Sequence, residues 1–507
     1  MAALLLFRLG DLPLVGPDEP RYARVAVEMH RAGEWVRPTL QGRPWLEKPA
    51  LYYWLAGAAY AVLGETEGAA RLPSVLAGVA LVGVTALVGT RLYGTAAGLH
   101  AGFALGTSVL FFVYGRAASM DMLLAAGVTA AIGLSGLRLL GQAGRLAMPA
   151  AWACAGLATL AKGPLGLLLP ALVLGGYVAA KRHWRGLRRV LSPAGILAFL
   201  AVAGPWYLLI WRDQGHAFLD VFLLDHNLLR FTSTIHRHPG PPWYYLPLLV
   251  GGLFPWSALI LPGLARLVPR RSRADLFVLL WLVLPLLFFS AAGSKLPGYI
   301  LPCLPPLSVL IGRAAAALTD GERVFWPGTG LRAVAVVTVV LSGLIGAVPF
   351  VLLRQGVPQW RLTLPMAAWA VVVALAFSYG VGRDAAGALR LLRVGAAGLL
   401  LLLAICAPPI IAARESGASL FQPAAGREVL AWRAWRSAWM AGYFYNEARV
   451  REVETLEEIV AAARQSPVLV LSGPREREEL ARVRGLRSVM LARGPRDHAL
   501  LQIDAIR

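Results

Sequence analysis

Charge is scarce in this sequence. Only 15% of its 507 residues are Asp, Glu, Lys or Arg, and 57% are hydrophobic; soluble domains carry roughly 25% charged residues. The deficit persists to about residue 411, which excludes an ordinary soluble protein and leaves a polytopic membrane protein. Acid is scarcer than base, with 28 Asp plus Glu against 49 Lys plus Arg, a formal net charge of +21 and a pI near 10.7. The basic residues are dispersed among apolar runs and no nucleic-acid-binding motif accompanies them. Cytoplasmic loops and anionic lipid headgroups therefore account for the charge, and nucleic acid is not an expected partner. Cysteine is nearly absent. Cys154, Cys303 and Cys406 each lie in an apolar run without CxxC spacing, so no metal or redox centre is indicated. Internal repeats and low-complexity tracts are also missing.

Long apolar runs are what the chain has instead. From Arg71 they predict spans at about 71–93, 96–114, 119–141, 147–161, 163–180, 190–211, 243–265, 274–292, 296–316, 331–353, 362–382 and 391–411, about thirteen with a short first one. Residues 147–180 read either as two helices or as one kinked helix. Arg8 and Asp11 interrupt the run before Asp18, and the expectation is that the true start lies upstream of Met1. Connectors rich in basic residues, such as Lys181, Arg182, Arg185, Arg188 and Arg189, alternate with sparser ones, which puts the rich set in the cytoplasm. Asp18, Glu47, Asp121, Lys162, Asp225 and Lys295 then fall together on the outer side. Ionisable residues at membrane depth are costly and mark functional sites.

The chain is organised around Gly16-Pro-Asp-Glu-Pro-Arg-Tyr22. Residues 20–33 read as an amphipathic interfacial helix: Pro20 suits a first turn, Gly33 a stop, and Arg21, Arg24, Glu28 and Arg31 face away from the apolar stripe. The proline after Asp18-Glu19 favours extended backbone, which would present both carboxylates away from the helix. A helix dipole at this end favours an ionised carboxylate, so Asp18 suits either a general base or a helix cap. A second interfacial or re-entrant helix is expected from Pro49 to about Leu63. Lys48 suits a phosphate or a headgroup, with Glu47 beside it. Asp121 is expected to position an acceptor or to pair with Arg116, and Lys162 to hold phosphate or cap its helix. Beyond residue 412 the composition turns polar. Strands are expected at Met440–Tyr445, Val468–Leu471 and Ala499–Ile503, with helices near Leu456–Arg464 and Arg475–Val483, giving a small α/β domain.

The ordered segments Asp18-Glu-Pro-Arg-Tyr22, Glu47-Lys48-Pro49 with Tyr53-Trp54, Arg71-Leu-Pro-Ser74, Met120-Asp121, Ala161-Lys162-Gly163, His226 with Arg230-Phe231, Pro242-Trp-Tyr-Tyr245 and Lys295-Leu-Pro-Gly-Tyr299 carry a resemblance. The chain resembles the GT-C integral membrane glycosyltransferases, especially the ArnT-like aminoarabinose lipid A transferases, relatives of the protein O-mannosyltransferases. Trp45 stands where the family commonly has tyrosine, and Asp225 where it has glutamate.

The resemblance implies an all-α polytopic fold of about thirteen transmembrane helices, GT-C type, over residues 1–411, with residues 17–70 as the first outer loop and 412–507 as a small extracytoplasmic α/β domain. It implies inverting transfer of a sugar from a polyprenyl-phosphate carrier to an acceptor outside the cytoplasm (a lipid A-like lipid, a glycan or a protein), in a bacterial inner membrane. Asp18 is the implied base, with Glu19 and Asp121 as further catalytic candidates. Lys48, Arg21, Tyr22, Glu47, Lys162, His226, Arg230, Lys295 and Tyr299 are the implied donor and phosphate contacts. No cofactor is required and no metal ligand set is indicated. The competing readings are a transporter or flippase of a charged lipid, which would show repeated halves, and a non-catalytic scaffold.

Overall fold

The computed structural model describes residues 1–182, 184–222, 240–267, 272–320, 340, 365–366, 368–369, 371–373, 385–424, 426–447 and 449–506. Among them six helices are long and apolar enough to cross a membrane: Glu67–Tyr93, Asp121–Leu139, Pro193–Gln214, Arg273–Ala291, Pro297–Thr319 and Ala386–Glu415. Two further pairs of apolar helices are sharply bent. Thr95–Gly106 and Val109–Gly115 meet at a 62° bend, and Tyr245–Gly252 and Trp256–Ala265 at 112°. The 147–180 region is two helices, Ala147–Lys162 and Leu165–Ala180. Gly163 sits between them at φ 78° and Pro164 follows, so the backbone turns where a left-handed residue and a proline adjoin. The expected spans at 331–353 and 362–382 lie largely outside the described residues.

Two compact units emerge. The first comprises Met1–Phe7, Leu46–Tyr52 and Pro73–Ala404. It is a helical bundle cemented by small residues, which let backbones approach closely in an apolar medium. A Cβ at Gly127 would lie 2.8 Å from that of Ala158, and one at Gly312 would lie 2.2 Å from the Ala97 carbonyl oxygen. Cys303 is fully buried among these helices.

The second unit comprises Arg8–Trp45, Tyr53–Leu72 and Ile405–Arg507. Its first-loop part holds the helices Asp18–Ala32 and, from Tyr53, Leu51–Leu63, and a short hairpin of β1 (Thr39–Leu40) and β2 (Arg43–Pro44). Its distal part is a five-stranded sheet in the order β4-β3-β5-β7-β6, where β3 is Val429–Trp432, β4 Val450–Val453, β5 Val468–Ser472, β6 Leu486–Arg493 and β7 Ala499–Ala505. β3 pairs in parallel with β4 and β5, whereas β5, β7 and β6 pair antiparallel. Alternation along β3 sends Val429 and Ala431 to one apolar layer and Leu430 and Trp432 to the other, as a strand covered on both faces requires.

One expected strand is a helix. Met440–Tyr445 lies within the helix Arg436–Tyr445. Its run of aromatics suggests a strand, but β3 and β4 are parallel and need a crossover between them. The helix is buried continuously from Ser437 to Gly442, with Gly442 against the Phe421 ring.

His498 holds the start of β7. Its Nε2 accepts the Trp435 backbone N–H at 2.9 Å. Burial and the nearby Arg477 guanidinium push its pKa below the ordinary 6.5. The unfolded chain therefore binds more protons than the folded one between that depressed value and about pH 6.5, so stability rises with pH through this window and falls on acidification. Limited proteolysis of the full chain is expected to show faster cleavage within residues 429–505 at pH 5.5 than at pH 7.5, and His498→Gln is expected to flatten that dependence.

Candidate active site

In the second unit the chain turns at Gly16 (φ 68°) into the helix Asp18–Ala32. Asp18 and Glu19 occupy its first turn rather than an extended lead-in. Pro20 is tolerated there because first-turn N–H groups have no intrahelical acceptor. The two neighbouring carboxylates then part company. Glu19 is buried, accepting from Arg71 Nη2 at 2.8 Å and Nε at 3.1 Å and from the Val15 backbone N–H at 2.8 Å. Arg71 is 2% exposed and also donates to the carbonyls of Leu9, Leu12 and Pro13. Asp18 instead keeps 51% of its side chain exposed while paired with Arg21.

Arg21 is itself buried, against the expectation that it lies on the polar face. Its guanidinium sits 5.4 Å from the Tyr22 ring centroid and 5.0 Å from that of Trp45. The aromatic walls and the Asp18 carboxylate together make that burial tolerable. Further support comes from Tyr445, whose hydroxyl accepts the Leu14 N–H at 2.7 Å and donates to Glu67 at 3.0 Å. Burial and the Glu67 charge raise its pKa and keep it protonated.

In the first unit, Lys48 is 7% exposed and its ammonium donates to the Glu47 carbonyl at 3.1 Å. Asp121 opens the helix Asp121–Leu139 and pairs with Lys162, the last residue of Ala147–Lys162. The expected partner, Arg116, donates instead to the carbonyls of Leu4, Leu5 and Phe7. Lys162 also lies 4.8 Å over the Tyr299 ring, a favourable cation–π contact. Tyr299 belongs to the 3₁₀ helix Pro297–Cys303. There Gly298 leaves no room for a Cβ, which would come within 2.7 Å of Tyr114 and 3.1 Å of the Asp121 carboxyl carbon. Lys295, 8% exposed, donates to the Ala292 carbonyl at 2.6 Å.

The described geometry thus gathers Asp121, Lys162 and Tyr299 in one unit and Asp18, Arg21 and Tyr22 in the other. His226 and Arg230 lie outside the described residues. Among the described residues no group of three or more His, Cys, Asp or Glu is placed to hold a metal ion. Sequence reasoning quoted Arg71 only as part of a motif and missed its anchoring role. The available signal was an arginine within a helix otherwise apolar for most of its length.

The described helices, with acidic and basic side chains at their ends, make a helical polytopic membrane bundle. The structure aligns with the crystal structure of ArnT from Cupriavidus metallidurans bound to undecaprenyl phosphate with a TM-score of 0.80 and 24% identity, covering 99% of this chain and 96% of that one. Residues 47–211 match the family described as dolichyl-phosphate-mannose-protein mannosyltransferase. The chain is 34% identical over 371 residues to the undecaprenyl phosphate-alpha-4-amino-4-deoxy-L-arabinose arabinosyl transferase of Pseudomonas aeruginosa (strain UCBPP-PA14), covering 70% of this chain and 66% of that protein. It is 31% identical over 350 residues to the protein of the same name from Enterobacter sp. (strain 638), covering 67% and 63%. It thus spans slightly under two thirds of the length of these curated relatives. Along these stretches the chain is similar to the ArnT-like GT-C integral membrane glycosyltransferases, and it shares its fold with ArnT.

Arg71 is a residue whose loss this geometry tolerates poorly. Arg71→Ala strands the buried Glu19 charge and three carbonyls, and is expected to cost about 3–5 kcal/mol. A large fall in thermal unfolding temperature in detergent is the readout, and an unchanged midpoint would refute the anchoring role.

Proposed function

We propose that the protein moves a sugar from a polyprenyl-phosphate carrier to a hydroxyl acceptor outside the cytoplasm, with inversion at the anomeric carbon. Asp18 takes the acceptor proton, the freed oxygen attacks the anomeric carbon, and the bond to the phosphate breaks. Buried cations favour the charge that develops on the leaving phosphate. Lys48 holds that phosphate, with Lys295 and the Lys162–Tyr299 pair as further contacts and Glu47 orienting Lys48. Asp121 keeps Lys162 in place. His226 and Arg230 remain candidate donor contacts. The setting is a bacterial inner membrane crossed about thirteen times, with the reaction on its outer face and the α/β domain outside. No metal is assigned a step.

What supports the reaction type is the similarity to proteins named as undecaprenyl phosphate-aminoarabinose arabinosyl transferases, together with a family match that takes in Glu47, Lys48, Asp121 and Lys162. The base assignment rests on one contrast. Of two adjacent carboxylates, Glu19 is committed to Arg71 and buried, while Asp18 remains half-exposed. A base must reach the proton it removes.

The test is transfer by reconstituted protein from a labelled polyprenyl-phosphate sugar. Asp18→Asn is expected to lower kcat by about 10²–10⁴-fold with donor KM little changed, and turnover at the wild-type rate would remove Asp18 as base. Separately, Lys48→Ala is expected to weaken donor binding strongly while Lys48→Arg keeps part of it. Equal donor affinity in wild type and Lys48→Ala would place the phosphate elsewhere. Passage of the lipid across the bilayer without any transfer would replace this reading with a transporter.

A further inference from the structure

Away from these residues, the first unit contains an apolar cavity of about 130 Å³. Its walls come from Ala131 and Ser135 on Asp121–Leu139, Trp152 on Ala147–Lys162, Pro170 and Gly175 on Leu165–Ala180, and Val190 on the short helix Trp184–Val190. The size is near that of the roughly 150 Å³ apolar cavities that stay dry and take up a benzene-sized apolar group. Leu167, Leu187 and Leu191 also line it and are 36%, 38% and 50% exposed, so it opens outward through apolar side chains rather than being sealed. The wall on the Trp184–Val190 side is built: Trp152 Nε1 donates to the Val190 carbonyl at 2.7 Å, and its ring packs edge-on against Phe199 at 5.9 Å.

The same short helix that closes the cavity carries Arg185, Arg188 and Arg189, all exposed, next to Lys181 and Arg182. No acidic residue occurs anywhere from 122 to 212, so this stretch offers its cations no carboxylate of its own. Trp184, 64% exposed, suits a membrane–water interface. A basic, tryptophan-bearing surface turn beside an outward-opening hydrocarbon slot has the complementarity of one ligand class.

The geometry points to a binding site for an anionic glycerophospholipid, with its phosphate against Arg185, Arg188 and Arg189 and a short segment of one acyl chain in the slot beside Gly175. Polybasic attraction alone would collect such lipids without order. The cavity is what makes this a site, because it offers a place for a chain as well as for a charge. It is independent of the transfer reaction, since none of its residues is placed in the catalytic or donor machinery.

Gly175 provides a clean test. A Cβ there meets nothing within 4 Å, and leucine favours a helix over glycine, so Gly175→Leu fills the slot without straining the fold. Native mass spectrometry of the full-length protein, delipidated and titrated with phosphatidylglycerol or phosphatidylcholine, is the measurement. Wild type is expected to retain phosphatidylglycerol in preference to phosphatidylcholine. Each Arg→Gln change at 185, 188 or 189 is expected to weaken that retention about fivefold, as near-surface basic residues typically do. Gly175→Leu is expected to abolish retention with all five basic residues intact, at an unchanged unfolding temperature. Equal retention of the two lipids, undiminished retention by Gly175→Leu, or equally strong competition by soluble glycerol phosphate would each overturn the proposal.

Discussion

The contact on which the candidate site depends is the buried bridge between Arg71 and Glu19. A guanidinium presents five donors in a fixed fork, and here they are shared between a carboxylate and the carbonyls of Leu9, Leu12 and Pro13. A lysine would bring one point charge and could not satisfy that set. By absorbing Glu19 and pinning the segment before Gly16, Arg71 fixes where the Asp18–Ala32 helix begins. That leaves Asp18 as the carboxylate free to meet solvent. The setting of the half-exposed carboxylate is held largely by one buried side chain.

The same economy recurs in the first unit. Asp121 and Lys162 stand at helix ends, where unsatisfied backbone groups and charged side chains naturally meet. Tyr299 then offers its ring to the lysine, and Gly298 lets the turn approach Asp121 closely. Gly298 and Tyr299 lie on a 3₁₀ segment, and Lys162 ends its helix at the Gly163–Pro164 turn. Irregular backbone is tolerated at membrane depth only where protein or a cavity surrounds it, and the residues singled out for chemistry lie beside such segments.

Much of this was legible in the residues. Apolar runs located Glu67–Tyr93, Asp121–Leu139 and Arg273–Ala291 closely, because hydrocarbon thickness sets the length of a span. The charged residues worth attention were legible too, since charge is rare here. Partners were not. Asp121 lies five residues from Arg116 in sequence, yet its cation comes from Lys162, 41 residues on, because packing of two helices decides proximity. The breaks after Gly106 and Gly252 were invisible to hydropathy, which measures apolar length and not direction. Met440–Tyr445 misled because its aromatics suit a strand, and only the parallel pairing of β3 with β4 demands a helix there.

One feature of the second unit bears on how the protein is made. Arg31 reaches both Glu65 and Glu447, and Tyr445 clasps Leu14 and Glu67. All of these links but Arg31–Glu65 join positions about four hundred residues apart, and contacts of such separation close late because the intervening loop must be ordered first. On a ribosome, the early segment bearing Asp18 emerges long before Tyr445 and Glu447 exist. Its final setting therefore awaits synthesis of the distal sheet region, and a nascent chain stalled in the bundle would carry its acids and bases without the clasp that completes them.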